Sequence, residues 1–440
     1  MTAGATPAGC LVSGWLMDHF GRRSAVLAQN VPALVGWLLL AAPPLLGGSG
    51  AADSIPQILA GRALTGMATG MGSVPGTVYV AEMASKPLRV VFVTWTSIAM
   101  AIGILFVYVL GAELEDWRTM AACCAAFPLA AGALNLVIMP ESPVWLLGRR
   151  REEAALKAFR HLRAGCSEAA IEAEFMALRG DEERARRRQV GAKRTWTDVF
   201  RDLASPECWK PLIIMNGFFF FQQASGVFVV IFYAVDVVKN SGIDADPFLV
   251  TILIGVARLG ITLIAGLLST RVGRRPLALS SGISMTMCMF VLATYLSLDD
   301  FDVPWRPGSW LPVSALVGFI LCSTLGFLTL PWAMIGEVFP MRVRGAAGGF
   351  TTCMAYVFNF VVLKIYPFME TQLRAEGVFF VYAAMSLIGT LFVGFLLPET
   401  RGRTLREIEE SFAGKRKAVQ DDELPELDGL ATKEIMLEKA

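Results

Sequence analysis

Residues 211–237 read PLIIMNGFFFFQQASGVFVVIFYAVDV, and Asp236 is their only charged member. A helix rises about 1.5 Å per residue, so this run alone exceeds the roughly 30 Å hydrocarbon layer of a bilayer. It shows no polar face of the kind a soluble helix keeps toward water. The run is therefore expected to cross a membrane, with two adjacent amides, Gln222 and Gln223, lodged inside it.

Ten further stretches of this kind fall at about 2–17, 24–46, 55–80, 90–110, 119–139, 247–270, 276–298, 310–335, 345–369 and 376–397, which makes eleven expected spans. The composition agrees. Of the 440 residues 55% are hydrophobic and only 18% charged, against about 25% charged in soluble domains, and the mean hydropathy is +0.54. The charges are also segregated: residues 140–210 hold 15 Lys/Arg and 12 Asp/Glu, and residues 398–440 hold 8 and 11. A soluble reading would need eleven apolar core helices with nothing amphipathic to cover them. Several function classes lose their raw material. A net charge of +1 gives no bulk attraction for nucleic acid. Two histidines and eight cysteines without a CxxC leave little for a metal site or a His-based triad. No Walker-type loop supports ATP-driven pumping, and no carboxylate pair or activated nucleophile stands within the spans to make an enzyme. No cofactor is implied.

Lys and Arg in the connections set the orientation. One set of alternate loops carries 32 of them, including Arg22, Arg23, Arg274 and Arg275; the other set carries four, Arg118, Lys239, Arg306 and Arg374. The central loop and the C-terminus are therefore expected in the cytoplasm.

The chain also repeats itself. Gly21-Arg22-Arg23 returns as Gly273-Arg274-Arg275, 252 residues later. Glu82, seven residues before Arg89, returns as Glu337, seven before Arg344, at an offset of 255. Pro140-Glu141-Ser142 returns as Pro398-Glu399-Thr400, at an offset of 258. Three motifs in one order define two parallel halves, the arrangement of transporters that hold a site between duplicated bundles. The expected divisions are an N-terminal bundle at 1–139, a cytoplasmic loop with short helices at 140–210, a six-helix bundle at 211–397 and a cytoplasmic tail at 398–440. In the second half a full span precedes the helix leading into Gly273. Its counterpart would lie ahead of Met1, so the first helix is expected to be missing, as in a fragment or a short isoform of a twelve-span protein.

These residues resemble the sugar porter branch of the major facilitator superfamily, and among its members the class III facilitative glucose transporters and arthropod facilitated trehalose transporters. The resemblance runs along 1–412. Its markers are Asp18-His19-Phe20-Gly21-Arg22-Arg23, Gly61-Arg62, Glu82 with Arg89, and Pro140-Glu141-Ser142-Pro143. The second half adds Gln222-Gln223-Ala224-Ser225-Gly226, Gly273-Arg274-Arg275, Pro331-Trp332, Glu337 with Arg344, and Pro398-Glu399-Thr400-Arg401-Gly402-Arg403. The resemblance implies an all-α membrane protein of the major facilitator fold, with two six-helix-type bundles, pseudo-twofold symmetry and 11 of 12 spans present.

It implies two sets of site residues. Two rocking bundles need contacts made in one state and broken in the other. Arg22, Arg23, Glu82, Arg89 and Glu141 in one half, and Arg274, Arg275, Glu337, Arg344 and Glu399 in the other, are expected to form that cytoplasmic latch; the alternative is plain positive-inside anchoring. Thr270 stands where an acidic residue is usual, which weakens the second latch. Gln222 and Gln223 match sugar-binding glutamines, with interhelical hydrogen bonding as the alternative. Trp332, Tyr356 and Asn359 match further aromatic and amide contacts. Arg258, inside a span, occupies an amide position, and snorkelling or structural pairing is its alternative reading. Phe228, Ser97 and Ala355 stand where hexose carriers can hold amides, so glucose is not assured as the substrate.

The expected function is facilitative transport of a sugar, a hexose or trehalose, by alternating access. A proton-coupled symporter is the alternative, as is a non-transporting isoform or sugar receptor. The expected partners are the sugar and membrane lipid, and the expected location is the plasma membrane, with an endomembrane second.

Overall fold

The structure, a computed structural model, describes residues 2–43, 55–83, 86–163, 165, 167–189, 205–240, 246–298, 310–339, 344–401, 407 and 411–412. Among these the chain is helical and holds no strand. That follows from the medium. Backbone groups in lipid must be satisfied within their own segment unless a barrel closes.

The first half holds α1 (Thr2–Phe20), α2 (Arg22–Ala28), α3 (Asn30–Ala41), α4 (Ile55–Ser73), α5 (Pro75–Met83), α6 (Lys86–Glu113) and α7 (Trp117–Ile138). Two short helices, α8 (Pro143–Gly148) and α9 (Glu152–Leu162), and the 22-residue α10 (Glu168–Gln189) follow. The second half opens with α11 (Pro206–Ala224), α12 (Val227–Phe232) and α13 (Ala234–Asn240), continues with α14 (Pro247–Arg271) and α15 (Arg274–Ser297), and adds α16 (Trp310–Leu325) and α17 (Leu330–Val338). The last element, α18 (Arg344–Leu396), runs for 53 residues and is broken at Arg374, whose φ of 56° is not helical. Arg374 thus divides it into two helical arms.

Seven described stretches are long and apolar enough to cross a membrane: Arg22–Ala41, Trp95–Glu113, Trp117–Ile138, Pro247–Ala265, Arg274–Ser297, Trp310–Val338 and the 50-residue Ala347–Leu396. The expected spans at 2–17 and 55–80 and the quoted 211–237 are helical but fall outside that set. The reason is their composition. α1 and α4 are rich in Gly, Ala and Thr, and α11 carries amides and ends at the break around Ser225 and Gly226, whose φ is +83°.

Small residues serve the packing. A Cβ on Gly66 would stand 2.0 Å from the Thr2 carbonyl oxygen, and one on Gly70 2.0 Å from that of Thr6. Gly66 and Gly70 are one turn apart, as are Thr2 and Thr6, so α1 and α4 lie backbone to backbone. In each half the long helices pack on one another: α3 on α4 and α7, α15 on α16 and α18, α11 on α18. The halves meet where α1 packs on α18 and α6 packs on α14. The outer faces stay apolar, with Val137 86% and Phe395 83% exposed, as lipid contact requires.

The central segment forms a small satellite. Ser142 caps α8 and Pro143 stands in its first turn. Phe159, Ala155 and Ala158 of α9 pack against Leu146, Leu147, Ile171 and Phe175, and Ser167 caps α10 by accepting from the Ala170 N–H at 3.4 Å. Arg163 pairs with Glu174 at 2.9 Å and donates to the Met83 carbonyl at 3.2 Å, and Arg149 donates to the Asp18 and His19 carbonyls. The satellite is thereby tied to the ends of α5 and α1. The basic side chains at 184–188 and the tail after Phe412 lie outside the described residues.

Gly70→Leu should wedge α1 off α4 and cost at least the roughly 1–3 kcal/mol of overpacking. The readout is the melting temperature of detergent-purified protein. Gly14, with no neighbour within 4 Å of a Cβ, should accept Leu with little change; equal losses at both positions would refute the close-packed seam.

Candidate functional site

Two clasps of the same design close the loop ends of the halves. In the first, Gly21 breaks the chain between α1 and α2 with φ +98°, and a Cβ there would stand 2.3 Å from Glu141 Oε2. Glycine lets the carboxylate in. Glu141 Oε1 accepts the backbone N–H groups of Arg22 (2.8 Å), Arg23 (3.1 Å) and Ser142 (2.9 Å), which satisfies free donors at the start of α2. The Arg22 guanidinium turns the other way and grips Glu82 of α5 through Nη2 (2.7 Å) and Nε (3.0 and 3.1 Å). Ser142 Oγ donates to the same carboxylate. Arg23 reaches the Leu136 carbonyl of α7 at 2.7 Å.

The second clasp repeats the carboxylate and arginine roles, although Gly273 has φ −62° where Gly21 has +98°. Glu399 accepts from the N–H groups of Arg274 (2.9 Å), Arg275 (3.1 Å) and Arg401 (3.0 Å). Arg274 pairs with Glu337 of α17 at 2.9 Å, Thr400 donates to Glu337 at 2.7 Å, and Arg275 donates to the Gly394 carbonyl. The Arg22–Glu82 side chains are 16% and 15% exposed and the Arg274–Glu337 pair 18% and 31%. Charge-assisted bonds at that burial are each worth roughly 1.5–3 kcal/mol. Every one of these bonds joins elements of the same half. Arg89 and Arg344 sit in α6 and α18, but their side chains, like that of Thr270, lie outside the described residues. Partial burial pushes the Glu399 carboxyl up, but the N–H groups of Arg401, Arg274, Arg275 and Thr400 outweigh it and hold the group below the ordinary carboxylate range.

The interior site lies where the second-half helices break. Gln222 is fully buried, and its Nε2 donates to the Phe327 and Leu328 carbonyls at 2.8 and 2.9 Å. Those carbonyls belong to the turn between α16 and α17, so Gln222 splices two broken spans together. Gln223 donates to Gln222 Oε1 at 3.4 Å, and its own Oε1 is buried without a partner. Asn359, 6% exposed, likewise holds an unpartnered Oδ1. Trp332 stacks edge-on to Phe219 at 4.9 Å and tilts over Tyr356 at 5.9 Å. The Tyr356 and Ser73 hydroxyls share a hydrogen bond of 2.6 Å, joining α18 to α4 across the two halves. Arg258 of α14 is 5% exposed, with Nη1 unpartnered.

Sequence reasoning missed Ser73, and also Tyr108, whose hydroxyl donates to the Ile231 carbonyl at 2.7 Å. The Ser73–Tyr356 partners are 283 residues apart, and no local pattern marks either one. Arg62 is exposed on α4.

The family model described as "Sugar (and other) transporter" matches residues 2–412. The chain is similar to the facilitated trehalose transporter Tret1 of Anopheles gambiae, 32% identical over 93% of this chain and 49% of the relative. The Tret1 of Polypedilum vanderplanki is 33% identical over 93% of this chain and 77% of its own length. The chain spans about half the length of the first of these relatives. Among solved structures, the proton:xylose symporter XylE bound to 6-bromo-6-deoxy-D-glucose superposes with a TM-score of 0.74 at 23% identity, covering 93% of this chain and 87% of that one. XylE from E. coli in an inward-open conformation gives 0.73, also at 23% identity and with the same coverage. At that identity the likeness bears on the fold.

The lowered Glu399 value sets a sign for the pH dependence. Its stabilisation is complete above the unfolded carboxyl value near 4.3 and disappears as pH falls through the lower folded value. Glu399→Gln should therefore lower the melting temperature at pH 7, and the gap to the parent should narrow as pH falls below about 4.3. A gap that stays constant across that acid range would mean that the carboxylate charge does not hold the clasp.

Proposed function

Because the chain belongs to the sugar (and other) transporter family, we propose that it carries a sugar across a membrane by alternating access between its two halves. It is a multi-pass membrane protein of the major facilitator fold. In this reading the halves are 1–139 and 211–397, with 140–210 and 398–440 as cytoplasmic loop and tail, and the eleven apolar stretches are spans of a twelve-span design. The plasma membrane is its proposed place. The relatives' printed substrate makes trehalose the first sugar to try, with a hexose second.

One observation carries the proposal. Gln223, at the end of α11 beside its break, and Asn359, within α18, keep buried, unpartnered amide oxygens, an expensive arrangement in a bilayer interior. Hydroxyls of a sugar would donate to both. Trp332 and Tyr356 would offer ring faces to its apolar side. Gln222, already bonded to the α16–α17 turn, would hold the shape of the pocket and contribute little direct affinity. The Ser73–Tyr356 bond is a contact of the kind that must break when the halves part. The two clasps are proposed to keep each half rigid, so that rocking happens between halves.

Uptake of labelled trehalose and labelled glucose into proteoliposomes holding the 440-residue chain tests this reading. Saturable uptake of either is expected, and folded protein with neither would overturn it. Gln223→Ala should raise KM by about two- to tenfold, the worth of one or two neutral hydrogen bonds, with folded yield unchanged. Gln222→Ala should lower the yield and the melting temperature first. The reverse order would exchange the two roles.

A further inference from the structure

Arg258 is the one charged residue among the described buried residues. It is the twelfth of the 25 residues of α14, so roughly 17 Å of helix separates it from the nearer end. Snorkelling to either surface is out of reach of one side chain. Gly255, one turn earlier, packs onto α6: a Cβ there would stand 2.9 Å from Leu105 Cδ1 and 3.1 Å from Tyr108 Cδ2. Arg258 thus sits on the face of α14 that meets α6, at the seam between the halves. Tyr108 directs its own proton to the Ile231 carbonyl. Arg258 Nη1 has no hydrogen-bond partner, and no described carboxylate pairs with the guanidinium.

A cation stripped of water and left without a counter-charge is strongly disfavoured in a bilayer interior. A static structure would replace it or pair it. A carrier has a third solution, because its cargo can bring the missing charge. We propose that Arg258 receives the carboxylate of a sugar acid, a hexuronate or an aldonate, so that the cargo carries one negative charge; this rests on the transport reading above. The planar guanidinium matches a carboxylate with two parallel hydrogen bonds. One buried cation balances one charge, and a phosphate ester with nearly two would remain uncompensated. Gln223 Oε1 and Asn359 Oδ1, both acceptors, suit the hydroxyls of the rest of the molecule and not its carboxylate.

The test is uptake of labelled D-glucuronate, D-glucose and trehalose at pH 7 into proteoliposomes of the full chain, under an imposed membrane potential. Glucuronate is expected to enter saturably, and faster when the interior is positive. Arg258→Gln should lower its kcat/KM on the order of thirtyfold or more, the scale lost when one partner of a buried charge pair is removed, and should lower the kcat/KM of neutral sugars by a much smaller factor. Arg258→Lys, which keeps the charge but loses the two-pronged geometry, should fall between and provides a folded comparison if the Gln variant is unstable. Saturable glucose or trehalose uptake, with glucuronate neither entering nor competing, would overturn the sugar-acid assignment and leave the transport reading standing. Glucuronate uptake unchanged in a folded Arg258 variant would also overturn it. No uptake of acid or neutral sugars by folded protein would bring down both.

Discussion

A charge or an amide inside a bilayer must be answered by another group, because there is no water to do it, and the arrangement of this protein follows from that constraint. Its carboxylates in described helical connections are gathered at helix ends, where backbone N–H groups and arginines meet them. Gln222 sits at a helix break, where freed carbonyls need a donor. Glycine and threonine bring α1 and α4 close enough for dispersion contacts to hold them, since lipid gives helices no hydrophobic reason to associate.

The two clasps show how duplication was used. In each half an acid at the end of the last span caps the helix after the Gly-Arg-Arg turn, and the first arginine of that turn grips a glutamate from a later helix, α5 in the first half and α17 in the second. Glu141 and Glu399 each answer several backbone donors at once, so a single side chain fixes the angle at which three elements meet. These bonds close each bundle on itself. The halves touch through a different class of contact: close helix packing along α6–α14 and α1–α18 and, among the described residues, neutral hydroxyl hydrogen bonds, Ser73 with Tyr356 and Tyr108 to the Ile231 carbonyl. Strong bonds lie within each body and weak ones between, a distribution suited to two bodies that move against each other.

The second half is also where helices are interrupted. α11 gives way to α12 at Gly226, and α16 gives way to α17 at residues 326–329, with Gln222 bridging the two breaks. Broken helices at membrane depth are tolerated where protein buries them. The splice leaves Gln223 with an open acceptor and places aromatic rings around the same elements. Arg258 poses the same demand in ionic form, and the answer offered for it extends the constraint from the protein to its cargo.

The sequence alone determined the medium and the duplication, and it singled out the Arg22, Glu82, Glu141, Arg274, Glu337 and Glu399 side chains that meet in the clasps, while the Ser142 and Thr400 hydroxyls entered only with the structure. Apolar runs longer than a bilayer have one stable home, and Gly-Arg-Arg, Glu and Pro-Glu recur at nearly constant offsets because they do the same work twice. It also pointed to Gln222, Gln223 and Arg258 as groups out of place in lipid, and the family resemblance added Tyr356 and Asn359. Only the tertiary structure separated their tasks. The partners of Gln222 lie about 105 residues away and that of Tyr356 lies 283 away, so no local pattern could tell a glutamine that closes a helix break from a neighbour whose oxygen stays open. The weaker apolarity of α1, α4 and α11 has the same cause. What reads as a lapse in hydrophobicity along the chain is, in three dimensions, the small and polar surface on which helices meet.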